Sequence, residues 1–485
     1  VIPQYRVITS FPSTIFDGRF WVMSELGPSF SAEFTAALKP SWTVRMKLSL
    51  LWFLEWGITG AILTYLPIYF IEKGLDQDQL GQLFAVTAVG LWIAPLVVGQ
   101  ICDRWFSSEK YLGLVHLLGG MVLIVIPAIA EHFEATHQTK GFPLLLFSVG
   151  FYAAVYFPTI PLVSSLSFRH LPKPEEQFGS VRIWGTVGWV LSGFVVSIWL
   201  GQTEFLSSLK SQFPEWESLL VEIENRLADL PQPNSSHCFY IAATLSFLLT
   251  GLCFFLPETP PAPTKRFNIA PWETLKTFTD KNTLLLIAVS FCLAIVVPFY
   301  IFAVPKLVST MLSDRGISDT WVPAVMTIGQ ISEFPALLLL SMLLRKYGLK
   351  ITFALGMAAW FLRYLLFAVT REPSMVYLGI ALNGICHVFL IVVIQLYVDS
   401  RCRQDLKASA QNLFAFLTLG IASPLGFRIA GKLGDFCHLG DAEEANYFLF
   451  FTVPAFIVLV LLLLFLRWFQ TEKIRTNPSL VVERA

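Results

Sequence analysis

Gln330 and Glu333 stand in the stretch Thr327-Ile328-Gly329-Gln330-Ile331-Ser332-Glu333-Phe334-Pro335, inside a run that is otherwise apolar from Trp321 to Leu344. On a helix their i, i+3 spacing puts both side chains on one face, about 5–6 Å apart. An amide and a carboxyl so placed can grip one polar ligand together. Counted from Arg345 at about 1.5 Å per residue, Glu333 lies about 18 Å into an apolar layer about 30 Å thick. An ionisable group at that depth is expected to bind a solute or carry a proton. The alternative is a protonated carboxyl that only packs between helices. By the same count Arg363 lies about 20 Å beyond Lys350. An unpaired guanidinium there would cost at least about 2.5–3.5 kcal/mol, so a carboxylate or carbonyl partner inside the bundle is expected.

These residues need a scaffold that lives in a bilayer, and composition supplies one. Of 485 residues 55% are hydrophobic and only 14% charged, against about 25% charged in soluble chains. Most of the surface must therefore face lipid. The charges balance at 34 basic and 34 acidic residues, which argues against nucleic acid as a partner. Seven scattered cysteines, with no CxxC pair and no histidine cluster, read as small buried hydrophobes, so no metal or cofactor is expected. No nucleophile–base pairing or phosphate loop points to an enzyme.

Apolar runs of spanning length recur at about 48–70, 79–101, 111–130, 142–168 and 181–200, and again from about 237 to 468, giving about twelve membrane helices. The expected fold is thus an all-α membrane protein. Every second short loop is basic: Arg104 and Lys110, Arg169 and Lys173, Arg345, Lys346 and Lys350, Arg401, Arg403 and Lys407. The segment 201–236 reads as a long acidic loop. The positive-inside rule places both termini in the cytoplasm, with the membrane an inner cell membrane. The proline-rich stretch from Pro257 to Pro263 opens a linker, 257–282, between two six-helix halves, 46–256 and 283–468. Residues 1–45 read as an extension whose start is mis-called, since Met46-Lys47-Leu48-Ser49 resembles a natural amino terminus. Residues 469–485 read as a cytoplasmic tail. Two such halves are the plan of a secondary transporter, with its site where they meet.

Gly99-Gln100-Ile101-Cys102-Asp103-Arg104 resembles the Gly-x-x-x-Asp-Arg loop of the major facilitator superfamily, in which the Asp and Arg latch the cytoplasmic side. Gly99, Asp103 and Arg104 are the gating residues that this resemblance implies. A closer resemblance is carried by Arg182-Ile183-Trp184-Gly185-Thr186-Val187-Gly188, Tyr156-Phe157-Pro158-Thr159, Gln330-Ile331-Ser332-Glu333, Ala359-Trp360-Phe361-Leu362-Arg363 and Ala408-Ser409-Ala410-Gln411. In the same order these segments are similar to those of the nucleoside:proton symporter family within that superfamily. The resemblance spans residue 46 to about 470. It implies a nucleoside site at Arg182, Thr186, Trp189, Gln330 and Glu333. The residues themselves are compatible: Arg182, Thr186 and Trp189 fall at i, i+4 and i+7, one helix stripe with a cationic fork, a hydroxyl and a stacking ring. For Arg182 the competing reading is a snorkelling end residue, and for Trp189 an interfacial aromatic.

The departures bear on the substrate. Where the family carries an amide pair on its seventh helix this chain has Tyr300 and Ala303, and where it carries an aromatic followed by an acid on the tenth it has His387-Val388, after Asn383-Gly384. Tyr300, Asn383 and His387 can still hydrogen-bond a solute. His387 can also carry a proton, or be a packing residue only. The acid missing at Val388 is balanced by one gained at Glu55, about 12 Å beyond Lys47, on a helix expected to line the cavity. Glu333 is the expected primary proton site and Glu55 the secondary one; for Glu55 the competing reading is a protonated carboxyl hydrogen-bonded to a neighbouring helix, with Trp52 and Trp56 beside it suggesting a position near the interface. The expectation is a monomeric importer of nucleosides or a related small polar solute by proton symport and alternating access. The alternative is a transporter or transporter-derived sensor for another solute without proton coupling.

Overall fold

The computed structural model describes residues 42–97, 106–135, 141–172, 174–229, 231–259, 280–401, 407–441 and 444–470. The gating residues Gly99, Asp103 and Arg104, residues 1–41, most of the linker and the tail from 471 lie outside them. All regular structure among the described residues is helical, as it must be where hydrocarbon offers backbone groups no partner.

The first half comprises α1 (Trp42–Ile62), α2 (Leu66–Glu72), α3 (Gln77–Val86), α4 (Ala88–Val97), α5 (Ser108–Ala135), α6 (Phe142–Tyr156), α7 (Thr159–His170), α8 (Pro174–Leu200), α9 (Gln202–Gln212), α10 (Glu217–Ala228) and α11 (His237–Cys253). The second comprises α12 (Lys281–Ser313), α13 (Val322–Ile331), α14 (Glu333–Val369), α15 (Pro373–Cys386), α16 (Val393–Arg401), α17 (Lys407–Ala415), α18 (Ser423–Phe436) and α19 (Tyr447–Trp468). Nine helical stretches among the described residues are long and apolar enough to cross a membrane. One of them, Asp319–Val369, holds two crossings that meet at Gly348, whose φ of 75° is a left-handed conformation glycine takes freely. With the α3–α4 pair and the short apolar α11, the twelve expected crossings are present.

Four crossings are broken, and proline explains three of the breaks; the fourth, at Thr87 between α3 and α4, has no proline four residues on. Pro67, Pro161 and Pro335 lack the N–H that would bond the carbonyls of Leu63, Phe157 and Ile331, and those carbonyls stand where α1, α6 and α13 give way to α2, α7 and α14. Pro127, Pro298, Pro305 and Pro454 lie inside continuous helices instead. Two findings differ from expectation. Residues 42–45 already belong to α1, and the 201–236 segment is no open loop but the helices α9 and α10, joined by a Lys210–Glu224 ion pair.

At one end of the bundle the start of α12 meets the end of α19. There Asn282 exchanges two hydrogen bonds with the backbone of Gln470, at 3.0 and 3.1 Å. Asp280 caps α12 by accepting the Thr283 N–H at 2.9 Å. Burial pushes its carboxyl up, but the Thr283 hydrogen bonds and the Arg401 charge outweigh this and hold it below the usual range. At the far end the halves are tied together. The Asp435 carboxylate accepts the N–H groups of Gln77 and Asp78 at 2.9 and 3.1 Å, and Arg428 lies 3.3 Å from Asp78. Ser197 Oγ accepts the Ala324 N–H at 3.0 Å, and Trp321 Nε1 donates to Glu204 at 3.2 Å. Backbones can meet there because Gly81 and Gly431 face each other: a Cβ on either would stand 2.6–2.7 Å from a carbonyl oxygen of the opposite helix. Nearer the middle, Trp92 Nε1 donates to the Gly420 carbonyl at 2.8 Å.

Candidate functional site

The first group of expected site residues lies on α8. Arg182 is exposed there, its guanidinium 5.7 Å from the centre of the Trp52 ring, and its charge interacts with that of Glu333 on the opposite half. Trp52 is held by a hydrogen bond from its Nε1 to Ser167 Oγ at 3.0 Å, so the surface under the arginine is fixed. One and two turns further along, Thr186 and Trp189 are half-buried. Trp189 packs at 6.0 Å and 36° against Trp56. Its indole N–H is buried and, among the described residues, has no acceptor.

The second group lies at the break between α13 and α14. Because the helix stops at Ile331 and restarts at Glu333, Gln330 and Glu333 flank a turn rather than ride one regular stripe. The turn is fixed from both sides: Ser332 Oγ donates to the Gly329 carbonyl at 2.7 Å and accepts the Gly384 N–H at 3.0 Å. A side chain at Gly384 would collide with the Ser332 backbone, so only glycine lets α15 come this close. Gln330 Oε1 is buried without a donor among the described residues. Glu333 Oε1 lies 3.4 Å from His387 Nδ1, with the two side chains 19% and 42% exposed. His387 begins a π-helical stretch, His387–Val392, a local widening of the helix that often marks functional positions.

Behind that break lies Arg363, 1% exposed. Its expected partner is the amide of Asn383, whose Oδ1 accepts from Nη1 at 2.8 Å. The rings of Tyr300, Trp360 and Tyr364 surround the guanidinium at 4.3, 4.9 and 5.3 Å. Tyr300 and Asn383 are thus drawn to the site by a residue the sequence reading had treated only as a buried charge.

Glu55 is a correction to that reading. It does not line the cavity: it is 0% exposed and points into the first half. Its Oε1 accepts from Thr159 Oγ1 at 2.5 Å, and its Oε2 lies 2.9 Å from His116 Nε2, at ion-pair distance though outside hydrogen-bond geometry. His116 is 1% exposed, and its Nδ1 lies 3.3 Å from Ser246 Oγ. The sequence reading missed His116. The depth argument used for Glu333 would have found it, since α5 is apolar around it. Among the described residues no group of three His, Cys, Asp or Glu side chains could hold a metal ion.

A family model described as nucleoside H+ symporter matches residues 42–214 and 218–473. YegT of Escherichia coli (strain K12) is 29% identical over 441 residues, covering 87% of this chain and 93% of that protein. The xanthosine permease of the same organism is 24% identical over 442 residues, covering 85% and 95%. A crystal structure of the nucleoside transporter NupG superposes with a TM-score of 0.71 at 20% identity, covering 88% of this chain and all of that one. That likeness establishes the two-bundle fold of the major facilitator superfamily.

Proposed function

The chain belongs to the nucleoside H+ symporter family, and from that premise we propose how its cavity takes up a nucleoside and couples it to a proton. What supports this reading is that complementary polar groups, two of them with buried atoms lacking a partner among the described residues, stand on elements of the two halves, with Arg182 and Glu333 interacting between them. On α8 stand the Arg182 fork, the Thr186 hydroxyl and the unsatisfied Trp189 N–H; on the α13–α15 side stand the unsatisfied Gln330 carbonyl, Glu333 and His387. A nucleoside has hydroxyls to meet the polar groups and a flat base to meet the tryptophan ring. Buried polar atoms without partners are costly unless a ligand supplies them.

Glu333 is the primary proton site in this reading. A proton on Glu333 cancels its attraction for Arg182 across the cavity and for His387 beside it, so loading loosens the contact between the halves. Glu55, acting with His116, is the secondary site. With the basic end in the cytoplasm, the ties at the far end close the outer gate, and the exposed Arg182 faces a cytoplasmic opening. Gly99, Asp103 and Arg104 would latch the opposite state. The protein acts as a monomer in the inner membrane.

Uptake of radiolabelled uridine and adenosine into vesicles, with and without an imposed pH gradient, tests this. Accumulation that needs the gradient is expected. Equilibration without accumulation would replace symport by facilitated passage, and no uptake of either would overturn the substrate reading.

A further inference from the structure

Arg363 contacts no open part of the cavity, yet its chemistry decides what Asn383 shows to the cavity. A guanidinium carries five donors and no acceptor, whereas a primary amide has one accepting end and one donating end. Oxygen and nitrogen of an amide are usually assigned from the hydrogen-bond network, and here the network permits one answer. With Arg363 Nη1 2.8 Å away, the atom of Asn383 facing it must be the carbonyl oxygen. A flip would set an NH₂ group against a buried cation that is 1% exposed and already enclosed by three rings.

The donating end therefore points elsewhere. A Cβ built on Gly329 would touch Asn383 Nδ2 at 3.5 Å and the Tyr300 hydroxyl at 3.4 Å, so both polar groups lie along the buried seam of α13, one residue from Gln330 and three from the helix break at Ser332. Asn383 is half-buried, so part of it stays accessible to a ligand. Tyr300 can donate or accept and does not discriminate by itself. The locked amide does.

We propose that Arg363 is a positioning residue that makes Asn383 a dedicated donor, so that the site selects nucleosides whose base carries a carbonyl oxygen at this edge over those carrying an amino group. The inference rests on the nucleoside reading above and deepens it. Uridine and cytidine, and likewise inosine and adenosine, differ at that edge, oxo against amino. An amino group there would meet amide hydrogens and leave two donors unpaired, the kind of mismatch that rejects a ligand far more strongly than a missing methylene.

The test is the dissociation constant of each of the four nucleosides for the purified full-length protein, by calorimetry. The oxo member of each pair should bind about tenfold more tightly. Asn383→Asp keeps a partner for Arg363 and exchanges the donor for an acceptor, so it should reverse the order in both pairs. Arg363→Gln frees the amide to turn and should bring each pair to within about twofold. If that variant fails to fold, the Asn383→Asp reversal carries the test alone. Equal binding within both pairs in the unaltered protein, or an unchanged order in Asn383→Asp, overturns this inference while leaving the nucleoside reading in place. Binding of none of the four overturns both.

Discussion

Among the described residues each half of the molecule holds a carboxyl–imidazole pair, and the two differ in their access to water. Glu333 and His387 lie 3.4 Å apart with side chains 19% and 42% exposed, whereas Glu55 and His116 lie 2.9 Å apart at 0% and 1%. Both pairs stand beside a broken helix: Glu333 opens α14 after the Ser332 break, and Thr159, which holds Glu55, opens α7 after Pro158. The open pair is partly exposed in this conformation. The sealed pair cannot exchange protons with solvent until the packing of α1, α5, α7 and α11 around it loosens. Around it stand Tyr152 and Tyr156 from α6, Thr159 from α7, and Ser246 and Cys253 from α11. On the function proposed above, the same two functional groups serve as a proton port in one setting and a structural clasp with deferred proton access in the other.

The largest expected effect comes from removing the charge of the open pair. Glu333→Gln should abolish accumulation driven by a pH gradient while solute exchange across the vesicle membrane continues. Accumulation equal to that of the unaltered protein would move coupling to another group, His387 first. Next is the sealed pair. His116→Leu leaves a carboxyl buried without its partner and should cost about 3–5 kcal/mol of stability, read as a lower thermal midpoint in detergent. The matched change in the open pair, His387→Leu, should cost only about 0–1 kcal/mol, because water replaces the partner. Equal losses in both variants would erase the distinction drawn above.

Binding should separate the pairs further. Arg182→Ala and Gln330→Ala are expected to weaken solute binding about tenfold or more without moving the thermal midpoint; unchanged affinity in both would remove them from the site. The smallest effect is expected for Glu55→Gln, which keeps a hydrogen-bonding group in place. It should lower gradient-driven accumulation several-fold less than Glu333→Gln does, and accumulation at the unaltered level would leave Glu55 a clasp alone.

Much of this protein was legible in its residues because the bilayer admits few solutions. Hydrocarbon leaves backbone groups no partner, so apolar run lengths yielded the twelve crossings, whereas which prolines break a helix, as Pro67, Pro161 and Pro335 do, and which lie inside one, as Pro127 and Pro454 do, only the structure decided. Depth alone singled out Glu333 and Arg363, since a charge far from water must have a use or a partner. Local pattern could not supply the partner. The contact between Arg363 and Asn383 joins residues 20 apart on two crossings, and Glu55 meets His116 and Thr159 from helices 61 and 104 residues away. Spacing on one helix says which residues share a face. Which face turns outward and which to the interior depends on how neighbouring helices pack, and that packing turned Glu55 inward, brought Glu333 within reach of His387, and left Gln330 and Trp189 with buried polar atoms that have no partner among the described residues.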